Sequence, residues 1–323
     1  MFQTEIDTST DKAAVWLRRG EVIGIPTETV YGLAGNALNE DAVLKIFKVK
    51  NRPHFDPLIV HVHHREAISR YVETIPDAAA ALLEKFSPGP LTVLLPKKPV
   101  IPYVVTSGLD TVAIRVPNHP LTLELLRKID FPLAAPSANP FGYISPTTSY
   151  HVYDQLHGRI PYILDGGATD IGIESTIVGF QNDRVTVYRL GGLSVEDIEK
   201  VTGSVTLDLQ RSSDPRAPGM LQHHYAPRKP LHFINSPDEA PDTNAGYIVF
   251  QHALPHIPAH RQIILSPAGD LTEAAKKLFS AMRQLDKSDV PVIYAVRFPD
   301  VGLGRAINDR LMRASASPSQ PDN

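Results

Sequence analysis

Between residues 11 and 190, short apolar runs alternate with longer segments whose apolar positions recur at helical spacing. The runs at 22–25, 58–62, 91–95, 112–116, 133–135, 162–164, 176–180 and 185–190 predict strands. The periodic segments 11–19, 40–49, 76–86, 119–129 and 148–157 predict helices, and in the second of them Val43, Ile46 and Phe47 share one face. Such alternation predicts an α/β fold in which helices flank a mixed, twisted sheet. After Gly192 a short helix at 195–201 and a small strand lead into RSSDPRAPGMLQHHYAPRKP, a stretch with four prolines and no hydrophobic period, which reads as an interdomain linker. Further on, LHFI, YIVF, QIIL and VIYAV with a helix over 271–285 predict a second, smaller, Rossmann-like α/β domain. The expected division is 1–208, linker 209–230, second domain 231–315, and a tail 316–323 too polar and proline-rich to fold.

Composition narrows the function classes. The 323 residues are about two domains' worth by the length prior, and 42% hydrophobic content suffices for a core in each. A net charge of -3 lacks the basic balance of a protein that grips nucleic acid mainly through phosphates, although a local basic groove stays open. The absence of cysteine removes disulfides, thiolate nucleophiles and cysteine-based metal centres. MFQTEIDTSTDK is polar and acidic, and no apolar run approaches the ~18 residues of a membrane span, so a cytoplasmic protein is expected.

Candidate chemistry gathers at strand ends. Lys50 and Arg52 follow the helix at 40–49 on a stretch expected to be loop, stopped by Pro53 and feeding the strand at 58–62. They either complement the helix macrodipole or hold an anion. In PSAN (136–139), prolines at 136 and 140 stiffen a strand exit that presents Ser137 and Asn139, a shape suited to phosphate oxygens and equally to an ordinary proline turn. IESTIV (173–178) and TVYRLGG (186–192) repeat the pattern of a polar group at a strand end. HVHH (61–64) has the look of a metal cluster, but no carboxylate or third histidine stands at a useful spacing, and His61 reads as a hydrogen-bonding residue. GLGRAIND near the C-terminus reads as a helix start rather than a dinucleotide loop. No GxSxG, P-loop or carboxylate pair is present, whereas Lys50, Arg52, Arg115 and Arg189 accumulate with hydroxyls, which suggests that anions are positioned.

PTETVYGL (26–33), KNRP and DPLIVH (within 50–61), TVAIRVP (111–117), APSAN (135–139), SPT (145–147), ESTIV (174–178) and APGMLQHHYAP (217–227) occur in the order and spacing of the YrdC/Sua5 family, in its form with a linker and a C-terminal domain. The resemblance implies an enzyme joining L-threonine, bicarbonate and ATP, with Mg²⁺ carried mainly on the ATP phosphates, into L-threonylcarbamoyladenylate and pyrophosphate. It implies that the product passes to a threonylcarbamoyl transferase complex acting on tRNA, with at most weak tRNA contact by this chain. It suggests Lys50, Arg52, Thr111, Ser137, Asn139, Ser145 and Arg189 around ATP, with Tyr225 reaching in from the linker as a lid. Thr29, His61, Arg115, the Ala135 backbone and Ser175 would hold threonine.

Asp56 departs from the asparagine frequent in the family, and as an ATP contact it requires Mg²⁺ or Arg52 to neutralise it. Ala217 replaces a common serine. The carbamate oxygen can attack the α-phosphorus without losing a proton, so alignment and charge neutralisation by Lys50 and Arg52 are the expected catalysis. As a loop cation, Arg52 should be removable without harm to folding. The rival readings are an RNA-binding module of the YrdC type and carbamoyl transfer to another acceptor, the latter disfavoured by the missing cysteines.

Overall fold

The computed structural model describes residues 2–181, 184–209, 217–218, 224–236, 239 and 243–315. The tail at 316–323 and much of the 209–230 linker lie outside the described residues. The larger sheet contains β1 (Glu5–Asp7), β2 (Ile23–Ile25), β3 (Gly32–Asn36), β4 (Ile59–His61), β5 (Leu91–Pro96), β6 (Thr111–Arg115), β7 (Leu133–Ala134), β8 (Tyr162–Leu164), β9 (Thr176–Gln181), β10 (Arg184–Arg189) and β11 (Thr206–Leu207). Their order across the sheet is β1-β8-β2-β3-β7-β4-β6-β5-β9-β10-β11. Parallel and antiparallel pairs mix: β4 runs parallel to β6 and antiparallel to β7, while β5 runs antiparallel to β6 and parallel to β9. The second sheet, β12 (Leu231–Ile234), β13 (Gly246–Val249), β14 (Gln262–Ile264) and β15 (Ile293–Val296), is wholly parallel in the order β12-β15-β13-β14. The anticipated mixed α/β sheet and second α/β sheet are therefore both present.

Helices α1 (Thr10–Arg18), α2 (Glu40–Lys50), α3 (Asp77–Phe86), α4 (Tyr103–Thr106), α5 (Pro120–Lys128), α6 (Ser149–Leu156) and α7 (Val195–Thr202) accompany the larger sheet, and α8 (Leu271–Lys287) and α9 (Leu303–Ser315) the smaller. Helix α2 shows how local sequence sets its limits. The Asn39 side chain accepts the Ala42 N–H at 3.1 Å, Glu40 and Asp41 occupy the first turn, and Ala42, Val43, Ile46 and Phe47 are buried. Asn51, in the left-handed region at φ 53°, ends it. The stop is therefore the asparagine rather than Pro53, and Lys50 is the last helical residue, not a loop residue. GLGRAIND does begin a helix, α9.

Three elements have no local signal. β3 reads GLAGN, without a β-branched or aromatic residue; it forms because Ile25 pairs with Gly32 on one side and Gly35 with Ala134 on the other. β1 is a three-residue edge strand on β8, and a short 3₁₀ helix covers Arg65–Arg70.

One hydrophobic cluster runs from Val43, Val60 and Ile114 beside the larger sheet to Tyr225, Phe279 and Ile293 at the smaller one. The halves meet along α8. The Tyr143 hydroxyl donates to Asp286 at 2.6 Å, Arg283 donates to the carbonyls of Ile144 and Ser145, and Thr147 and Ser280 hydroxyls lie 3.0 Å apart. Gly172, at φ +81°, passes so close to α8 that a Cβ there would fall 2.5 Å from Lys276 Cα. Among the described residues no helix is long and apolar enough to cross a membrane.

Candidate active site

The parallel strands β4 and β6 end side by side at His61 and Arg115, and the C-terminal ends of parallel strands are where open α/β sheets open their clefts. Around this point gather the β2 to β3 loop (Thr27, Thr29), the exit of β7 (Ala135, Ser137), the entry of β9 (Glu174, Ser175), Arg189 at the end of β10, Arg52 beyond α2, and Pro218, His224 and Tyr225 from the linker. Together they line one cleft.

One pole is built on Arg115, which is 3% exposed. Its Nε donates to Gly89 O at 3.0 Å, Nη1 donates to Thr29 Oγ1 at 2.9 Å, and Nη2 lies 2.5 Å from Glu28 Oε1. Thr27 and Thr29 hydroxyls are 2.8 Å apart, and Thr27 accepts the Val30 N–H, so a threonine turn fixes the loop. Ser175 Oγ sits 2.7 Å from Thr92 Oγ1 and accepts from Arg189 Nη2 at 3.1 Å. The Ala135 N–H is committed to Ile59 O, so only its carbonyl is offered from the backbone there.

His61 is buried with Nδ1 3.2 Å from Ile59 O. Burial, and then the Arg115 charge, push its imidazole down to about 3, so it is neutral near neutral pH. Unfolded His61 takes up a proton near 6.5 whereas the folded residue does not. Its contribution to stability is therefore intact above that pH and is lost as pH falls from 6.5 towards about 3. His61→Asn should accordingly lose less stability than the parent when urea unfolding is compared at about pH 7 and about pH 5. Identical pH dependence in the two proteins would contradict a buried neutral imidazole.

Two further cations stand at the C-terminal end of α2. Arg52 lines the cleft, donates from Nε to Asp56 O at 3.0 Å and from Nη2 to Pro57 O at 2.8 Å, and pairs with Asp56 Oδ2 at 2.8 Å. Asp56 is fully buried, and Arg52 supplies the neutralisation that this carboxylate needs. Arg52 is itself only 8% exposed, so the expectation that it could be removed without harm to folding is overturned by this buried pair. Lys50 is 1% exposed and does not line the cleft; its Nζ donates to Ser137 O at 2.5 Å and Asn139 O at 2.6 Å, holding the PSAN turn in place. Burial, followed by the Arg52 charge, lowers its pKa well below the usual lysine value.

Not every anticipated residue reaches the cleft. Ser137, Arg189 and Tyr225 line it, and Tyr225 takes φ +66° and stacks on Phe279 at 5.4 Å. Asn139 spends its amide donors on Pro140 O and Tyr143 O, and Ser145 donates to Glu174 Oε1 at 2.6 Å. Thr111 lies at the far end of β6 from Arg115, about 13 Å along the strand, in a separate cleft with Leu94 and Tyr188. In HVHH only His61 faces the site, for His64 caps the 3₁₀ turn by accepting the Ala67 N–H at 3.0 Å. No group of three histidine or acidic side chains suited to a metal occurs among the described residues. Glu28, Glu174 and Arg310 were not anticipated. The first two stand inside quoted motifs, and a buried arginine beside them implied an anion; Arg310, on an amphipathic helix far along the chain, carried no local signal.

Known proteins resemble this chain over almost its whole length. The family model Sua5_yciO_yrdC, described as "Telomere recombination", matches residues 15–191, and Sua5_C, described as "Threonylcarbamoyl-AMP synthase, C-terminal domain", matches 193–316. A protein of Pyrococcus abyssi named threonylcarbamoyl-AMP synthase is 40% identical over 317 residues, covering 94% of this chain and 93% of the relative. One of the same name from Bacillus subtilis is 40% identical over 324 residues, covering 96% and 93%. The crystal structure of P. abyssi Sua5 complexed with L-threonine superposes with a TM-score of 0.88 at 36% identity, covering 98% of this chain and 97% of that one. With both family models matched in succession, the chain belongs to the YrdC/Sua5 family and carries its Sua5-type C-terminal domain.

Proposed function

We propose that this protein is a threonylcarbamoyl-AMP synthase, which condenses L-threonine, bicarbonate and MgATP to L-threonylcarbamoyladenylate and pyrophosphate by nucleotidyl transfer. The observation that carries the reading is one cleft lined by Arg115 with Thr29, His61 and Ser175 and also by Arg52, in a chain so similar to proteins bearing that name.

Arg115 uses Nε and one face of each terminal nitrogen on Gly89, Thr29 and Glu28, which leaves an N–H on each terminal nitrogen for the two oxygens of a carboxylate. Thr29, His61 and Ser175 then surround the threonine side chain. The threonine amine and bicarbonate give a carbamate and water, and the carbamate oxygen attacks the α-phosphorus as pyrophosphate leaves. Arg52 and Arg189 offset the charge on the phosphates, while Lys50 acts by shaping the PSAN turn. Mg²⁺ enters as part of the substrate, held by phosphate oxygens, because Asp56 is already engaged by Arg52 and no acidic cluster stands nearby among the described residues.

Linker residues Pro218, His224 and Tyr225 line the cleft, and as a lid they would keep water from the reactive adenylate. On this reading the protein works in the cytoplasm, and its product is an activated donor for a transferase acting on tRNA.

The test is to incubate the purified protein with ATP, Mg²⁺, threonine and bicarbonate, and to detect pyrophosphate and the adenylate by mass. Formation that needs all of these and no RNA supports the reading. ATP turnover that depends on RNA rather than threonine favours the RNA-binding alternative. In the same assay valine should be rejected far more strongly than serine, since valine strands the hydroxyl partners whereas serine forfeits only a methyl worth about 1 to 3 kcal/mol. Comparable turnover of valine and threonine would refute that pocket assignment.

A further inference from the structure

Glu174 is a carboxylate in the wrong company. It is 7% exposed, lines the cleft directly before Ser175, and faces a space that, on the function proposed above, receives a triphosphate and a threonine carboxylate. A bare buried carboxylate there would repel both substrates. Two groups hold it: the Ser145 hydroxyl donates to Oε1 at 2.6 Å, and Arg310 Nε donates to Oε2 at 3.1 Å. Arg310 belongs to α9 of the C-terminal domain.

Arg310 is itself costly to bury. It is 0% exposed, Nη1 pairs with Asp309 at 2.9 Å, and Nη2 is buried with no hydrogen-bond partner. Its guanidinium carbon lies 5.2 Å from the Tyr225 ring centroid, so one side chain meets both the cleft carboxylate and the linker aromatic. A second C-terminal side chain supports the same pair, for Arg283 of α8 donates to the carbonyl of Ser145, whose hydroxyl holds Glu174. Packing alone would be served better by an aliphatic residue at 310, since an incompletely paired buried guanidinium weakens the fold.

We propose that Arg310 is a positioning residue of the active site, supplied by the C-terminal domain, which neutralises Glu174 and so makes the cleft receptive to its anionic substrates. The docked C-terminal domain is on this account part of the electrostatics of the site rather than only an attachment behind it. The inference rests on the threonylcarbamoyl-AMP synthase reading for the identity of the anions.

The experiment compares wild type, Arg310→Met, Arg310→Lys and the double variant Arg310→Met/Glu174→Gln. Steady-state kinetics are run in ATP and in threonine, and calorimetric binding of MgATP and of threonine is measured for each. Arg310→Met should raise KM and Kd for both ligands by roughly 10- to 100-fold, with a smaller change in kcat. Arg310→Lys should recover part of the affinity, and the double variant, which has lost the carboxylate charge as well, should recover most of it. A purely structural staple predicts instead that kcat falls with the folded fraction and that Glu174→Gln adds to the damage. Unchanged affinity in Arg310→Met, or no recovery in the double variant, overturns the proposal. If Arg310→Met does not fold, Arg310→Lys and the double variant decide. A wild-type protein that binds both ligands yet forms no adenylate would sink the functional reading, while the charge inference is judged on the binding constants.

Discussion

Arg52→Ala is expected to abolish adenylate formation and also to destabilise the protein by about 3 to 5 kcal/mol, the usual cost of removing one member of a buried ion pair. The activity loss follows because Arg52 is the cleft-lining cation of the KNRP segment and, on the proposed function, offsets charge on the transferring phosphates. The stability loss follows because its guanidinium neutralises Asp56, which has no exposure to water. The two effects separate in a double variant. Arg52→Ala/Asp56→Asn should regain most of the lost stability, because no carboxylate then needs a cation, but should remain inactive. Urea unfolding and pyrophosphate release measured on the two variants decide the matter. Wild-type turnover in Arg52→Ala would remove Arg52 from the phosphate site, and equal stability of all three proteins would show that the pair contributes nothing to folding.

Arg115→Lys is expected to raise the KM for threonine by roughly 10- to 100-fold while changing the KM for ATP much less. The charge is preserved, so the effect isolates geometry. Arg115 binds Gly89 O, Thr29 Oγ1 and Glu28 at once and still presents paired N–H groups, whereas an ammonium has too few donors to make those contacts and also grip a carboxylate two-pronged. Glu28 is the residue that directs this guanidinium, with Oε1 2.5 Å from Nη2. A parallel rise in both KM values would mean that Arg115 supports the cleft as a whole rather than the amino-acid pole.

Most of the secondary structure was legible because its signals are local. The predicted helix at 40–49 is α2 to within one residue, since the Asn39 cap and the Val43, Ile46, Phe47 face both lie within the segment they define. The strands at 91–95 and 112–116 are likewise β5 and β6, read from apolar runs bounded by turn residues. β3 was not legible, because nothing in GLAGN favours a strand until Ile25 and Ala134 bring their partners to it.

The candidate site divides along the same physical line. By itself the sequence determined the family, through blocks such as PTETVYGL and APSAN, and with it the set of cations and hydroxyls concerned. Residue type and spacing are enough for that, since they state which donors and charges are available. They do not state which donors are already used. Only the tertiary structure turned Lys50 onto the Ser137 and Asn139 carbonyls, paired Arg52 with Asp56, spent the Ser145 hydroxyl on Glu174 and carried Arg310 across 136 positions to the same carboxylate. Each of these contacts satisfies a buried charge or polar group, and burial is a property of the folded chain: a carboxylate exposed to water needs no partner, whereas one enclosed by two domains must find its cation wherever the fold can supply it.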